Sequence, residues 1–126
     1  MQHTLEAMLS EAIVDLTPLP TSCPQHGLEY TGRGLESLHL QLCDFALRIT
    51  AFKLEHTGQG LGRRIVQVLI DFCRDYDRIP IVVDVEEDLL IGASTFWETM
   101  GFVFEPNNPD NMIHQGWLPR YCMEFG

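Results

Sequence analysis

His56-Thr57-Gly58-Gln59-Gly60-Leu61-Gly62-Arg63-Arg64 lies between two runs of different period. Before it, Ala46-Leu47-Arg48-Ile49-Thr50-Ala51-Phe52-Lys53-Leu54 alternates like a strand, and after it Leu61, Ile65, Val68, Leu69 and Phe72 recur at helical spacing. A strand, a glycine-rich turn and a helix make a recipe for holding an anion. Glycines admit positive φ and close backbone approach, and the first N–H groups of a helix have no internal partner. Those N–H groups and the positive end of the helix dipole favour a phosphate or pyrophosphate. Arg63 and Arg64 fall in the first turn, where a cation does not help the helix itself, and this local cost hints at a ligand. The competing reading is a tight connection that binds nothing. Neither standard nucleotide motif fits. The glycines at 58, 60 and 62 alternate with none at 65, which departs from G-x-G-x-x-G, and Gly58 to Arg63 does not supply a P-loop.

A chain of 126 residues is expected to form one domain with a real core. It is 45% apolar and 21% charged, the balance of a soluble globular protein. No apolar run approaches the ~20 residues that span a bilayer, and no basic segment leads into an apolar core as in a secretory signal, so the expected location is cytoplasmic, away from membranes. Cys23, Cys43, Cys73 and Cys122 are scattered at no ligand spacing, which argues for reduced thiols rather than zinc. The net charge of -10 argues against nucleic acid. It suits a cationic small molecule or a basic protein segment, although solubility alone also explains it.

Leu5, Met8, Leu9, Ile13 and Leu16 predict an amphipathic helix over 1–16 that packs on a sheet. Three prolines between Thr17 and Gly27 predict a connecting loop. Leu28–Tyr30 reads as a short strand before the Thr31-Gly32-Arg33-Gly34 turn, and Leu35–Leu42 as a strand returning near Cys43-Asp44 into Phe45–Leu54. Strict alternation would put Leu47, Ile49, Ala51 and Lys53 on one side, with Phe52 and Leu54 on the other. After the glycine turn a helix to about Asp75 leads to the β-branched run Ile79–Val85, completing a right-handed parallel βαβ unit. Glu86, Glu87 and Asp88 follow that strand's C-terminal end, the edge where ligands gather in open α/β sheets. A helix over Leu89–Met100, a strand over Gly101–Glu105, a loop from Pro106 to Gln115 and a last strand within 117–125 complete the chain.

The order of these elements, together with two motifs, resembles the GNAT superfamily of acyl-CoA-dependent N-acyltransferases. The family's [R/Q]-x-x-G-x-[G/A] is matched by Thr57-Gly58-Gln59-Gly60-Leu61-Gly62, and its A-x-x-[F/L]-Y-x-x-x-G-F by Ala93-Ser94-Thr95-Phe96-Trp97-Glu98-Thr99-Met100-Gly101-Phe102. The resemblance covers about residues 46 to 105. In size, and in the Pro106-Asn107-Asn108-Pro109-Asp110 tail after Phe102, the chain is also similar to compact acetyltransferases, including phage-encoded anti-CRISPR ones.

The resemblance implies an α/β (α+β) fold with a mixed, mostly antiparallel central sheet, a central parallel βαβ pair and helices on both faces. It implies acetyl-CoA as co-substrate. Backbone groups of Phe52, Lys53 and Leu54 would pair with its pantetheine arm, and N–H groups of Gly58, Gln59, Gly60, Leu61, Gly62 and Arg63 would hold its pyrophosphate. A primary amine, on a small cationic molecule or a protein lysine, would attack the thioester directly while a carboxylate removes its proton. Glu55, Asp84 and Glu86 are candidates by position, unranked because the strand pleat decides which points inward. Three residues depart from the family pattern: Thr57 for Arg or Gln, Leu90 for an Asn that touches the cofactor arm, and Trp97 for the tyrosine that protonates the leaving thiolate. Indole N–H is a donor that does not ionise near neutral pH, so Trp97 is expected to pack beside the cofactor or core. An N-acetyltransferase is therefore the leading expectation. A degenerate GNAT-fold protein acting as a CoA-binding or interaction module is the alternative, and a short N-terminal half makes a homodimer an expectation as well.

Overall fold

The computed structural model describes residues 2–19, 27–42, 46–56, 60–84, 96–105 and 120–125. Helix α1 (Gln2–Ala12) buries Leu5 and Leu9, and Ile13 directly after it continues the four-residue interval, the spacing that stacks side chains on one helical face. It ends earlier than the apolar pattern, because Asp15 turns left-handed at φ 59 and Thr17–Leu19 becomes strand β1. This corrects the expected loop. All three β1 residues are exposed and carry no alternating signal, and Pro18, which cannot donate to a ladder, is tolerated only because β1 is an edge. Its pairing with β2 (Thr17 to Thr31, Leu19 to Glu29) is tertiary information.

Strands β2 (Gly27–Gly32), β3 (Leu35–Leu42) and β4 (Leu47–Leu54) follow as an antiparallel meander. Gly34 makes the first turn at φ 80, a region that L side chains enter only at a cost. A side chain at Gly32 would collide with Ile13 Cγ2, so glycine is what lets α1 close over β2. Helix α2 (Leu61–Phe72) and strands β5 (Ile81–Asp84), β6 (Val103–Glu105) and β7 (Arg120–Met123) complete a seven-stranded sheet in the order β1-β2-β3-β4-β5-β7-β6. Every neighbouring pair is antiparallel except β4 and β5. The class is therefore mixed α/β, mostly antiparallel with one parallel pair, as expected.

Residues opposite one another on a ladder share a face. Leu40 stands opposite Leu28 and Ile49, Leu38 opposite Tyr30 and Phe52, and Ile81 and Val83 opposite Leu47 and Ile49. These residues form or adjoin the buried core. Helices α1 and α2 touch each other and both reach this face. The Tyr30 hydroxyl donates to Glu6 Oε1 of α1 at 2.9 Å, and Gly62 of α2 sits against Leu54.

The ladder overturns the expected sides of β4. His39 pairs with Ala51 while Leu40 pairs with Ile49, so Thr50 is an extra residue, a β-bulge. One inserted residue shifts the two-residue period. Leu47, Ile49, Phe52 and Leu54 therefore share the core face, and Ala51 and Lys53 take the other.

The last turn of the α2 helix widens into a π-helical turn at Cys73–Asp77 instead of running on as α-helix to Asp75. It closes at Arg78, left-handed at φ 52, whose N–H donates to the Cys73 carbonyl at 2.7 Å. Arg74 bonds Asp71 and Asp75 here, and it holds the Asp75 carboxyl below its usual range. Of the expected helix over Leu89–Met100, the described part is a helical turn at 96–99. Gly101, at φ 99, ends it with N–H bonds from Gly101 to Glu98 and from Phe102 to Trp97, a Schellman closure. Cys73 and Cys122 are buried, whereas Cys23, Cys43, the turn near Cys43-Asp44, the acidic run 86–88 and the loop 106–115 lie outside the described residues. Among the described residues no helix is long and apolar enough to cross a membrane.

Candidate functional site

The parallel ladder between β4 and β5 spans Leu47–Ile81, Arg48–Val82 and Ile49–Val83. From there β4 continues through the Thr50 bulge to Leu54, while Asp84 pairs onward with Arg120 of β7. A bulge bends its strand and sharpens the local twist. This one falls at the residue after the last described parallel pair, so among the described residues the pairing of β4 with β5 ends there and leaves a fork. The Thr50 hydroxyl donates to the His39 carbonyl at 3.3 Å, tying the bulge to β3.

The free run of β4 leads to the start of α2. Gly60 caps that helix with φ 78 and no side-chain cap bond, so the capping residue itself leaves the first N–H groups without a side-chain acceptor. A Cβ built on Gly60 would meet nothing within 4 Å, so among the described residues the space beside the helix start is open. The Arg64 N–H returns to the Gly60 carbonyl at 3.1 Å, which is the first internal turn. No acidic residue occupies the first turn of α2. Arg63 and Arg64 are exposed, and among the described residues neither is held in an ion pair. Charge, dipole and open space all suit an anion at this point.

Packing fixes the geometry around the fork. Gly62 is buried, and a Cβ there would come within 3.0 Å of Leu54 and 3.6 Å of Phe96. Its lack of a side chain lets α2 settle on the end of β4. Phe52 packs at 6.1 Å between ring centroids from Trp97 and 6.4 Å from Phe96. Trp97 also meets Phe96 at 5.0 Å and Phe102 at 5.2 Å, both edge-on, and is 4% exposed. Edge-to-face contacts of this kind add about 0.5–1.5 kcal/mol beyond area burial. Trp97 thus braces the floor of the fork as an apolar side chain.

The expected site residues fall into three groups. Phe52, Leu54, Gly60, Leu61, Gly62 and Trp97 come together around the fork and the helix start, with Arg63 beside them in the first turn. Lys53 is there by backbone only, since its ammonium turns to Glu36 of β3 at 3.5 Å. Glu55 lies just past β4, exposed, with its N–H bonded to the Gly34 carbonyl at 2.9 Å, and Asp84 ends β5 in register with Arg120. Gly58, Gln59 and Glu86, with Thr57 and Leu90, lie outside the described residues. Sequence reasoning missed the bulge at Thr50 and its bond to His39. Its only available signal was the spacing of apolar residues, which steps by two from Leu47 to Ile49, by three to Phe52 and by two to Leu54.

No family model matches the chain, and neither does any curated protein. Among solved structures it is similar to the crystal structure of the anti-CRISPR protein AcrVA5. The identity is 17% at a TM-score of 0.47, covering 85% of this chain and 98% of that one. It is also similar to Ard1 from Thermoplasma volcanium, at 21% identity and a TM-score of 0.49, covering 80% of this chain and 70% of that one.

Proposed function

We propose that the chain is an acetyl-CoA-dependent N-acetyltransferase of GNAT type that acts on a primary amine, carried by a small cationic molecule or by a protein lysine. One observation carries this reading. Among the described residues the parallel pair ends at the Thr50 bulge, and its open side leads to a glycine-capped helix start with free space beside Gly60 and no acidic residue in the first turn. An extended ligand with a phosphate at one end matches that layout. Successive backbone groups of a strand alternate sides. Because Glu55 N–H turns to Gly34 of β3, those of Leu54 and Phe52 are directed into the fork to pair with an amide-bearing arm. The N–H groups after Gly60, with Arg63 or Arg64 above them, would hold the diphosphate. Bound there, the co-substrate supplies an activated thioester carbonyl. Trp97 cannot donate a proton by ionising, so the leaving sulfur departs as thiolate and is protonated from solvent. The aromatic floor of Phe52, Phe96 and Trp97 keeps water from the reacting bond on one side.

Thermal unfolding with and without acetyl-CoA tests the reading, with CoA and ATP as comparisons. A ligand at 100 times its Kd adds about 2.7 kcal/mol to stability, so a clear rise in Tm with acetyl-CoA and CoA is expected, larger than with ATP. An unchanged Tm at millimolar acetyl-CoA would refute it. Release of free thiol with an amine panel (spermine, an aminoglycoside, a lysine peptide) then identifies the acceptor.

A further inference from the structure

We infer that His39 is the base that takes the proton from the acceptor amine, and that the acceptor reaches the fork across the sheet face opposite α1 and α2. This rests on the acetyltransferase reading above. Leu38 and Leu40 lie on the core face, so His39 between them takes the other face. It stands directly opposite Ala51, the first residue after the bulge. Strands lie about 4.8 Å apart, and Ala51 presents only a methyl group, so an imidazole extended over Ala51 reaches the apex of the fork. The Thr50 hydroxyl bond to the His39 carbonyl fixes this residue to the bulge that makes the opening.

The surroundings suit the role. His39 is half-buried, and among the described residues its imidazole has no hydrogen bond or ion pair, so a proton site is available. From β2, Glu29 stands opposite His39 on the same face. From β3, Ser37 and Gln41 flank it; from β4, Arg48 and Lys53 lie on this face in register with Gln41 and Ser37. The Lys53 charge is engaged by Glu36. No described helix packs here. Imidazole is the side chain that exchanges protons near neutral pH.

In the step itself, the neutral amine nitrogen attacks the thioester carbonyl carbon. The C–N bond forms, its N–H proton passes to the imidazole, and the C–S bond breaks with its electron pair leaving on sulfur. The imidazolium then returns the proton to solvent, and the thiolate takes one up, giving amide and free thiol.

Proton NMR of the wild-type protein tests this without an identified acceptor, the His39 ring signals being assigned by their loss in His39→Gln. If acetyl-CoA raises Tm and those signals shift on its addition, the geometry holds; if Tm rises and they do not move, His39 is not at the acetyl group and the inference is wrong. If acetyl-CoA does not raise Tm, the acetyltransferase reading fails and this inference with it. With an amine that turns over, His39→Gln and His39→Ala should keep the acetyl-CoA Kd, lose about 10²–10⁴-fold in kcat and flatten the acidic limb of the kcat–pH profile. An unchanged kcat and profile in His39→Gln would also overturn it.

Discussion

Gly60 holds φ at 78 with open space where a Cβ would be. Strain rather than crowding therefore limits substitution, at about 1–2 kcal/mol for an L residue in that region. Gly60→Asp adds a carboxylate at the anion-attracting end of α2. Its melting point should fall by only a few degrees, while the acetyl-CoA-induced rise disappears; a retained rise would place the diphosphate elsewhere. Tyr30 acts on stability instead. Burial first, then its hydrogen bond to Glu6 and that residue's charge, push the Tyr30 phenol above its ordinary 10.0. The folded state keeps its proton where the unfolded chain releases it, so this contribution is fully present below pH about 10 and is lost as pH rises beyond it. Urea melts of Tyr30→Phe should show a loss of about 1 kcal/mol at pH 7 and a shallower decline than wild type above pH 10.

At the level of elements, the bulge in β4 decides two things at once, the face that Phe52 and Leu54 occupy and the place where β4 leaves β5. Deleting Thr50 separates them. Phe52 would then stand two positions from Ile49, still on the core face, so the core survives. Without the extra residue β4 loses its bend and can pair further along β5, closing the fork. The deletion variant should unfold cooperatively within several degrees of wild type and bind acetyl-CoA at least tenfold more weakly, a change of about 1.4 kcal/mol. Calorimetric titration measures both variants, and equal affinities would remove the bulge from the binding account. The strand–glycine–helix unit was legible in the sequence because periodicity and the N-cap glycine are local signals. The bulge was not, because one residue inserted in an apolar strand alters only the spacing of its neighbours, and its meaning depends on which residue of β3 it faces.

Across the whole molecule, a net charge of -10 creates a field that gathers cations and is screened by salt. The screening length falls from about 30 Å at 0.01 M to about 10 Å at 0.1 M. If the acceptor is polycationic, the KM for spermine should rise severalfold over that range while the KM for neutral hydroxylamine stays level. Parallel changes would mean that the charge serves solubility alone. The edge strand β1, with every residue exposed, also belongs to this scale, since only the neighbouring β2 makes Thr17–Leu19 a strand. By itself the sequence determined the parallel βαβ unit, the glycine-capped helix start, the glycine stop at Gly101 and the aromatic packing role of Trp97. Each follows from short-range periodicity, backbone freedom or the chemistry of a single side chain. Only the tertiary structure decided that the strands part at Thr50, that Lys53 is turned to Glu36, and that His39 faces Ala51. These depend on cross-strand register, which is set by the packing of distant segments.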